Sequence, residues 1–516
     1  MLPAMDTHGT DNLHALAQVE ALFSAGQVSE AITLCLSVFD RTYDPLMRAN
    51  CAGVLVDMGA TVSRPDLIQK AVSYLDELRR SLGAKCPAEV FYNLGNGWSS
   101  LAKMESDEHR SAERWTSGLF ERAKACYREA LGATRLSRGD IDVSYFVNLA
   151  NTLDSLGRHL EAIENYDKAL SLDSTYGMAL CNKAVAVQYF AEVSGTYGDA
   201  QHVWAWQMLK AGLADPRVDR VGGPEARQEF ERRIAAIEAK ATKPELLRTS
   251  LEHPPADLSR ASEFERRYVD LCAKERLFLN VHIHEHVCDA AIIDNVFLRP
   301  PEPKPTDRFV ELAKGLNQII EDFSTARCLW VLAQCEDSDV LKVGARTLLP
   351  RVAGTGASLK LGLMKASFRL GYDVLDKVAG FINDYLGVGI DSRRVAFATA
   401  GGNCLWWGTA KERTLRPEIK AIFGGSLGAL YDIFLDFQTN EVTGSAYYQG
   451  LRDMRNALTH RRLSVAVGQT GGAPEEIAPE ALRVAARDML FLARCVVMYL
   501  ILFVNGRERR LVAQAQ

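Results

Sequence analysis

Residues 148–184 read NLANTLDSLGRHLEAIENYDKALSLDSTYGMALCNKA, and the spacing inside this stretch decides the architecture of the first half of the chain. Gly157, Ala162 and Ala169 are small, whereas Leu153 and Tyr166 are large. Small residues let two helices approach closely and large ones fill the space between them. Asn182 stands 34 residues after Asn148, and Ala184 stands 34 after Ala150. Self-similarity at a fixed period of this size predicts stacked helical hairpins, because one hairpin cannot bury its apolar face alone. Upstream, Phe91-Tyr92-Asn93-Leu94-Gly95-Asn96 opens a similar unit, with Ala123, Tyr127 and Ala130 in the matching slots of a second helix from Glu121 to Leu131. The polar stretch Ser106 to Thr116 reads as an insertion between those helices. Fainter units surround Ala17-Gly26-Ala31-Cys35 and Asn50-Ala71-Leu75, so roughly five hairpins are expected between residues 10 and 213.

This period and slot pattern resembles the tetratricopeptide (TPR) repeat. The resemblance implies a helical solenoid whose concave groove takes a peptide or protein ligand. Asn96, Asn151, Asn182 and Lys183 are candidates for the groove wall; the competing reading is that the asparagines only bond backbone between helices. A Glu-, Arg- and Ala-rich helix from Pro224 to Lys240 is expected to cap the array, giving a repeat domain over 10–241. Residues 242–261 carry Lys243-Pro244 and His253-Pro254-Pro255, which interrupt helical periodicity and read as a linker.

A chain of 516 residues exceeds a single core, so several domains are expected. A net charge of −5 excludes a dedicated non-specific duplex-DNA binder, which needs an overall basic surface, but leaves room for a local basic patch. The eleven cysteines are dispersed without a CxxC pair, which points to reduced thiols, many of them buried in helices (Cys35, Cys126, Cys181, Cys495), in a cytoplasmic protein. No basic-then-apolar pattern opens the chain. The apolar run Met489 to Val504 is short for a bilayer and is interrupted by Arg494, so a buried core helix is expected and no membrane partner.

The second half is helical in pattern without a repeat. Leu359 to Leu386 carries an apolar stripe of Leu363, Phe368, Leu370, Leu375, Val378, Phe381, Ile382 and Leu386. Phe264 to Leu279, Arg416 to Phe437, Tyr447 to Leu458 and Pro479 to Asn505 are further helical segments, predicting an all-α bundle over 262–508. Near the end of one of these helices lie Arg455-Asn456-Ala457-Leu458-Thr459-His460. An arginine can neutralise a phosphate that gains charge in a transition state, and a histidine can move a proton at neutral pH. The same bare spacing recurs at Arg248/His253 and Arg276/His282, where the helix-end context is missing.

The blocks Tyr268–Asn280 (YVDLCAKERLFLN), Lys365–Leu386 (KASFRLGYDVLDKVAGFINDYL), Ala429–Asp436 and Leu451–Arg461 (LRDMRNALTHR) together resemble the HEPN superfamily, in particular its bacterial subfamily attached to TPR repeats. The resemblance implies a C-terminal helical bundle that forms a homodimer and brings two Arg/His sets into one cleft. It also implies a metal-independent endoribonuclease acting in a toxin or antiphage-defence setting, with no cofactor and no metal. Carried over by position, Arg455 and His460 match the catalytic pair and Asn456 the polar residue after the arginine. Arg461, Arg462 and Lys377 are expected to grip flanking RNA phosphates, and Asp373 and Asp376 share a helical turn with Lys377. Two other readings stand beside this one: a non-catalytic TPR/HEPN interaction scaffold and a nucleotide-sensing protein. At the residue level, Arg455 could instead pair with Asp453 or Asp376, and His460 could simply end a helix at its negative pole.

Two further patterns carry little. His282, His284, His286 and Cys288 alternate as on a strand, but no partner cluster of metal-ligand spacing follows. Gly354, Gly356 and Lys360 lack the full spacing of a phosphate-binding loop.

Overall fold

The computed structural model describes residues 7–108, 113–137, 139–194, 199–240, 255–280, 282, 287–299, 307–335, 355–356, 358–399, 404–408, 413–460, 464–466 and 476–515. Among the described residues the chain is all-α apart from one small sheet and two isolated β-bridges, and it divides into two compact units. Unit 1 comprises Met1–Val187, Ala205–Ala236 and Asn440–Gly444; unit 2 comprises Gln188–Trp204, Ile237–Thr439 and Ser445–Gln516.

Unit 1 is built from helix pairs. α1 (Thr7–Ser24) packs on α2 (Val28–Arg41), α3 (Pro45–Thr61) on α4 (Pro65–Leu82), α5 (Ala88–Glu108) on α6 (Leu119–Ser137), and α7 (Val143–Ser155) on α8 (His159–Leu172). α9 (Gly177–Ser194) and α10 (Asp199–Leu213) follow, with their residues from Gln188 to Trp204 assigned to unit 2. Local chemistry sets the helix starts: the Asp44 carboxylate accepts from the Leu46 N–H at 2.9 Å with Pro45 in the first turn, and Asp142 accepts from Ser144 at 2.8 Å. Gly157 (φ +80°) makes the sharp turn between α7 and α8 that a residue with a Cβ would strain. In the predicted insertion, a short helix, Glu113–Thr116, is pinned by the Trp115 indole N–H donating to the Leu156 carbonyl at 3.0 Å, while residues 109–112 lie outside the described residues. α11 (Arg217–Lys240) is broken at Gly223 (φ +71°), immediately before Pro224, so the helix expected from Pro224 does start there.

Unit 2 is a bundle of α12 (Glu263–Lys274), α13 (Asp307–Gln334), α14 (Leu359–Leu386), α15 (Gly425–Leu435), α16 (Gln449–His460) and α17 (Pro479–Ala515). α14 lies against α13, α16 and α17, and α15 packs on α17. α12 opens with a capping box between Ser262 and Glu265 and stops at Lys274, earlier than the expected Leu279. The reason is Arg276, held at φ +53°. The segment expected as one helix from Arg416 is split into a short Pro417–Lys420 turn and α15 by Gly424 (φ +143°) and Gly425 (φ +52°). α17 is long and apolar enough to cross a bilayer, yet 89% of its apolar window is buried inside the protein. Arg494 donates there through Nε to the Phe278 carbonyl at 2.7 Å and through Nη2 to the Asn280 carbonyl at 3.0 Å. All eleven cysteines are free thiols, and ten of them are buried.

Three very short strands frame the motif helix. β1 (Thr355–Gly356) pairs antiparallel with β2 (Ser464–Ala466), which pairs parallel with β3 (Glu476–Ile477). β2 follows α16 closely, and Val465 buries into a cluster with Leu361, Met364 and Leu482. The Gly-rich stretch before α14 is therefore a strand followed by a cap, Ser358 accepting from the Leu361 N–H at 3.2 Å; Gly354 itself lies outside the described residues.

Candidate functional site

α16 rests on α14, and Arg455 points from it toward three residues of that helix. The guanidinium carbon sits 5.5 Å from the centroid of the buried Tyr372 ring, which is itself held edge-on against Phe437 at 6.1 Å. Asp373 and Asp376 flank the ring, and both feel the Arg455 charge. No carboxylate among the described residues forms an ion pair with Arg455, so the expected alternative of a firm pair with Asp453 or Asp376 is not what is seen. Asp453 instead accepts from the Gln449 amide at 2.8 Å, and Asp376 accepts from the Phe397 N–H at 2.9 Å. Arg455 does donate to the Asn456 side-chain oxygen, but at 3.4 Å this bond is long and weak. Asn456 is exposed, and His460 is the last residue of α16. Arg461 and Arg462 lie outside the described residues.

Burial pushes the carboxyls of Asp376 and Asp373 above their ordinary values, with the Arg455 guanidinium pulling the other way. Burial likewise pushes Tyr372 up to about 12, so the ring beneath Arg455 stays a neutral phenol. Asp373, Asp376 and Lys377 line one cleft of about 860 Å³ together with Arg308, Asp384 and Arg393, but Arg455 and Asn456 are not among its lining residues. Lys377 is not a free cation in it, because its ammonium pairs with Asp322 of α13.

Several of these groups escaped sequence reasoning. Tyr372, Arg308, Asp322 and Arg393 were not singled out, and α13 as a whole was missed. Its signal was present as Leu312, Leu316, Ile319, Phe323, Ala326 and Trp330, an alternating spacing of four and three. His284 and His286 lie outside the described residues; His282 contacts the Gln201 amide at 2.8 Å and the Trp204 ring at 5.4 Å.

In unit 1 the asparagines form a repeated ladder of side-chain bonds. Asn96 Oδ1 accepts from the Tyr127 hydroxyl at 2.8 Å and from Asn148 Nδ2 at 2.9 Å. Asn151 Oδ1 accepts from the Tyr166 hydroxyl at 2.6 Å and from Asn182 Nδ2 at 2.9 Å. Each asparagine thus joins the second helix of its own hairpin to the first helix of the next. Their partners are side chains, where the sequence suggested backbone as the alternative to a ligand. Lys183 is buried and paired with Asp167 at 2.9 Å.

Residues 304–507 match the LA2681-like HEPN family, and residues 143–176 match the tetratricopeptide repeat. The HEPN-matched stretch includes α14 and α16, and the TPR-matched stretch spans α7 and α8. No curated protein matches the chain.

Proposed function

We propose that the protein is a cytoplasmic, metal-independent endoribonuclease whose HEPN domain, over 262–508, works as a homodimer under control of a TPR domain over 10–241. The observation that supports this best is Arg455, a half-buried guanidinium carried on an aromatic ring beside the cleft-lining Asp373 and Asp376, with its donors outside any ion pair among the described residues. Single-stranded RNA lies across the dimer cleft. The ribose 2′-oxygen attacks the adjacent phosphorus and the bond to the 5′-oxygen breaks. His460 moves protons in this exchange, taking one from the 2′-hydroxyl or giving one to the departing 5′-oxygen. Arg455 binds the non-bridging oxygens as their charge rises, and Asn456 orients the phosphate. Arg461 and Arg462 hold flanking phosphates. The products are a 2′,3′-cyclic phosphate and a 5′-hydroxyl, and DNA, lacking the nucleophile, is inert. The TPR domain binds a protein or peptide ligand, and the setting is a toxin or antiphage system.

The test is cleavage of single-stranded RNA in EDTA by the wild type and by Arg455→Ala and His460→Ala. Loss of one transition-state donor lowers the rate by about 10²–10³, and loss of the proton-transfer group by about 10²–10⁴. Variants as active as the wild type, or equal cleavage of DNA, refute the assignment. No cleavage by any form, including the released form described below, leaves a TPR/HEPN scaffold as the function.

A further inference from the structure

Unit 1 includes five residues from far downstream of its helices, Asn440–Gly444. They form a turn that is held from both inside and outside. Inside it, the Val442 N–H donates to Asn440 Oδ1 at 2.8 Å, and the Gly444 N–H donates to the Asn440 carbonyl at 2.9 Å, with Gly444 at φ +69°. Outside, three side chains of the array read it. Arg79 of α4, braced by Asp76 at 2.7 Å, donates to the Val442 carbonyl at 2.6 Å. Glu121 of α6 accepts from the Asn440 amide at 3.0 Å. Arg122 of α6, stacked over the Trp98 ring at 4.9 Å, pairs with Glu441 at 2.6 Å. The Val442 side chain is buried in the apolar cluster of the array itself.

An amide, an acid, an apolar side chain and a main-chain carbonyl each find a complementary group here, which is how a repeat surface recognises a peptide turn. The turn is also four residues from α16, the helix that carries Arg455, and the base of its loop is tied by the Tyr448 N–H donating to the Asp436 carbonyl at 2.9 Å. We infer that Arg79, Glu121 and Arg122 form a turn-recognition site whose resident occupant is the chain's own Asn440–Gly444, and that occupancy restrains the helix that follows. A partner presenting an amide–acid–apolar turn of the same chemistry displaces the segment and frees α16. The docking stands independently of the ribonuclease reading; its consequence for RNA cleavage rests on that reading.

The experiment is amide hydrogen exchange on the full chain. Val442→Asp puts a carboxylate where the valine is buried and raises exchange of the 442 and 444 amides on the order of tenfold or more. Glu441→Lys sets two cations together at a largely exposed pair and raises it about threefold. In both, α16 amides exchange faster while α4 and α6 keep wild-type protection, which shows that the array is folded. Arg122→Glu combined with Glu441→Lys restores protection. Unchanged exchange over 440–460 in both single variants, or no recovery in the charge-swapped double variant, overturns the inference. If exchange rises and RNA cleavage rises with it, both proposals hold. If exchange rises but no form cleaves RNA, the turn-recognition site stands and the ribonuclease reading falls.

Discussion

Asn151→Ala removes the acceptor that joins two helices of the array to a third, and its cost can be worked from the contacts. The Asn151 oxygen takes the Tyr166 hydroxyl at 2.6 Å and the Asn182 amide at 2.9 Å. Each bond between neutral groups contributes about 0.5–1.5 kcal/mol net. The two donors differ once the acceptor is gone. Asn182 is half-buried and can turn to water, but Tyr166 is 1% exposed, and burial pushes its hydroxyl well above the ordinary value so that it remains a donor. A stranded buried donor costs about 1–3 kcal/mol. The total for Asn151→Ala is therefore about 2–4 kcal/mol, whereas Tyr166→Phe, which leaves the Asn182 bond intact, costs about 1 kcal/mol. In the double variant no hydroxyl is stranded, so it is no less stable than Asn151→Ala alone, with a coupling of about 1 kcal/mol or more. Native-state hydrogen exchange of α7 and α8 reads these free energies locally. If Asn151→Ala lies within about 0.5 kcal/mol of wild type, or if the two single costs simply add, the ladder is not what holds the repeats together.

Three other outcomes follow from the same contacts. Asp376→Asn keeps an oxygen for the Phe397 N–H and removes a carboxyl whose pKa burial has raised. A raised carboxyl binds a proton more readily folded than unfolded, so its contribution is fully present below the unfolded pKa and is lost as pH rises through the folded one. The stability of Asp376→Asn relative to wild type should thus increase with pH across that window, checked by denaturation at a series of pH values; a constant difference refutes it. Arg327→Leu leaves Asp294, the Tyr268 hydroxyl and the Leu277 carbonyl without the cation that joins them at 2.6, 2.7 and 2.8 Å, and should cost about 3–5 kcal/mol in a thermal melt. Gly95→Ala places a Cβ 2.8 Å from the Tyr127 ring, which its bond to Asn96 keeps from moving aside, and should cost about 1–3 kcal/mol in the same assay.

The repeat was legible because helix packing writes itself locally: Gly157, Ala162, Tyr166 and Ala169 each occupy a position fixed by one hairpin. α14 was legible to its ends, Leu359 and Leu386, because its apolar stripe is unbroken and Gly387 closes it in the left-handed region. α13 was missed although its spacing is helical and Thr306-Asp307 supplies a helix-start signal. The site was legible only in part. Arg455 and Asn456 stand adjacent on one helix, but the Tyr372 platform and the Asp322 partner of Lys377 come from other helices. Those pairings depend on how α13, α14 and α16 cross, which no spacing within one segment encodes. The turn at Asn440–Gly444 was illegible for the same reason, since its partners Arg79, Glu121 and Arg122 lie more than three hundred residues earlier.

How Arg455 is held bears on what it can do. A guanidinium locked in a buried ion pair must break that pair before it can take a phosphate, at about 3–5 kcal/mol for the charge left behind. A guanidinium resting on an aromatic ring gives up about 0.5–1 kcal/mol at an exposed site and keeps its in-plane N–H donors throughout. Tyr372 is buried, fixed against Phe437 and neutral, so it positions the cation without spending those donors. Asp373 and Asp376 add attraction from beyond ion-pair reach, which keeps a cation favoured at a half-buried position. They also repel an incoming phosphate, and their raised pKa values mean that this repulsion weakens first as the pH falls. An anion that Arg455 binds should therefore bind more tightly toward acid pH in the wild type. In Asp376→Asn the same anion should bind with a flatter dependence, measurable by titrating a short non-cleavable 2′-deoxy oligonucleotide at a series of pH values. Equal slopes in the two proteins would show that Asp376 does not face the bound phosphate.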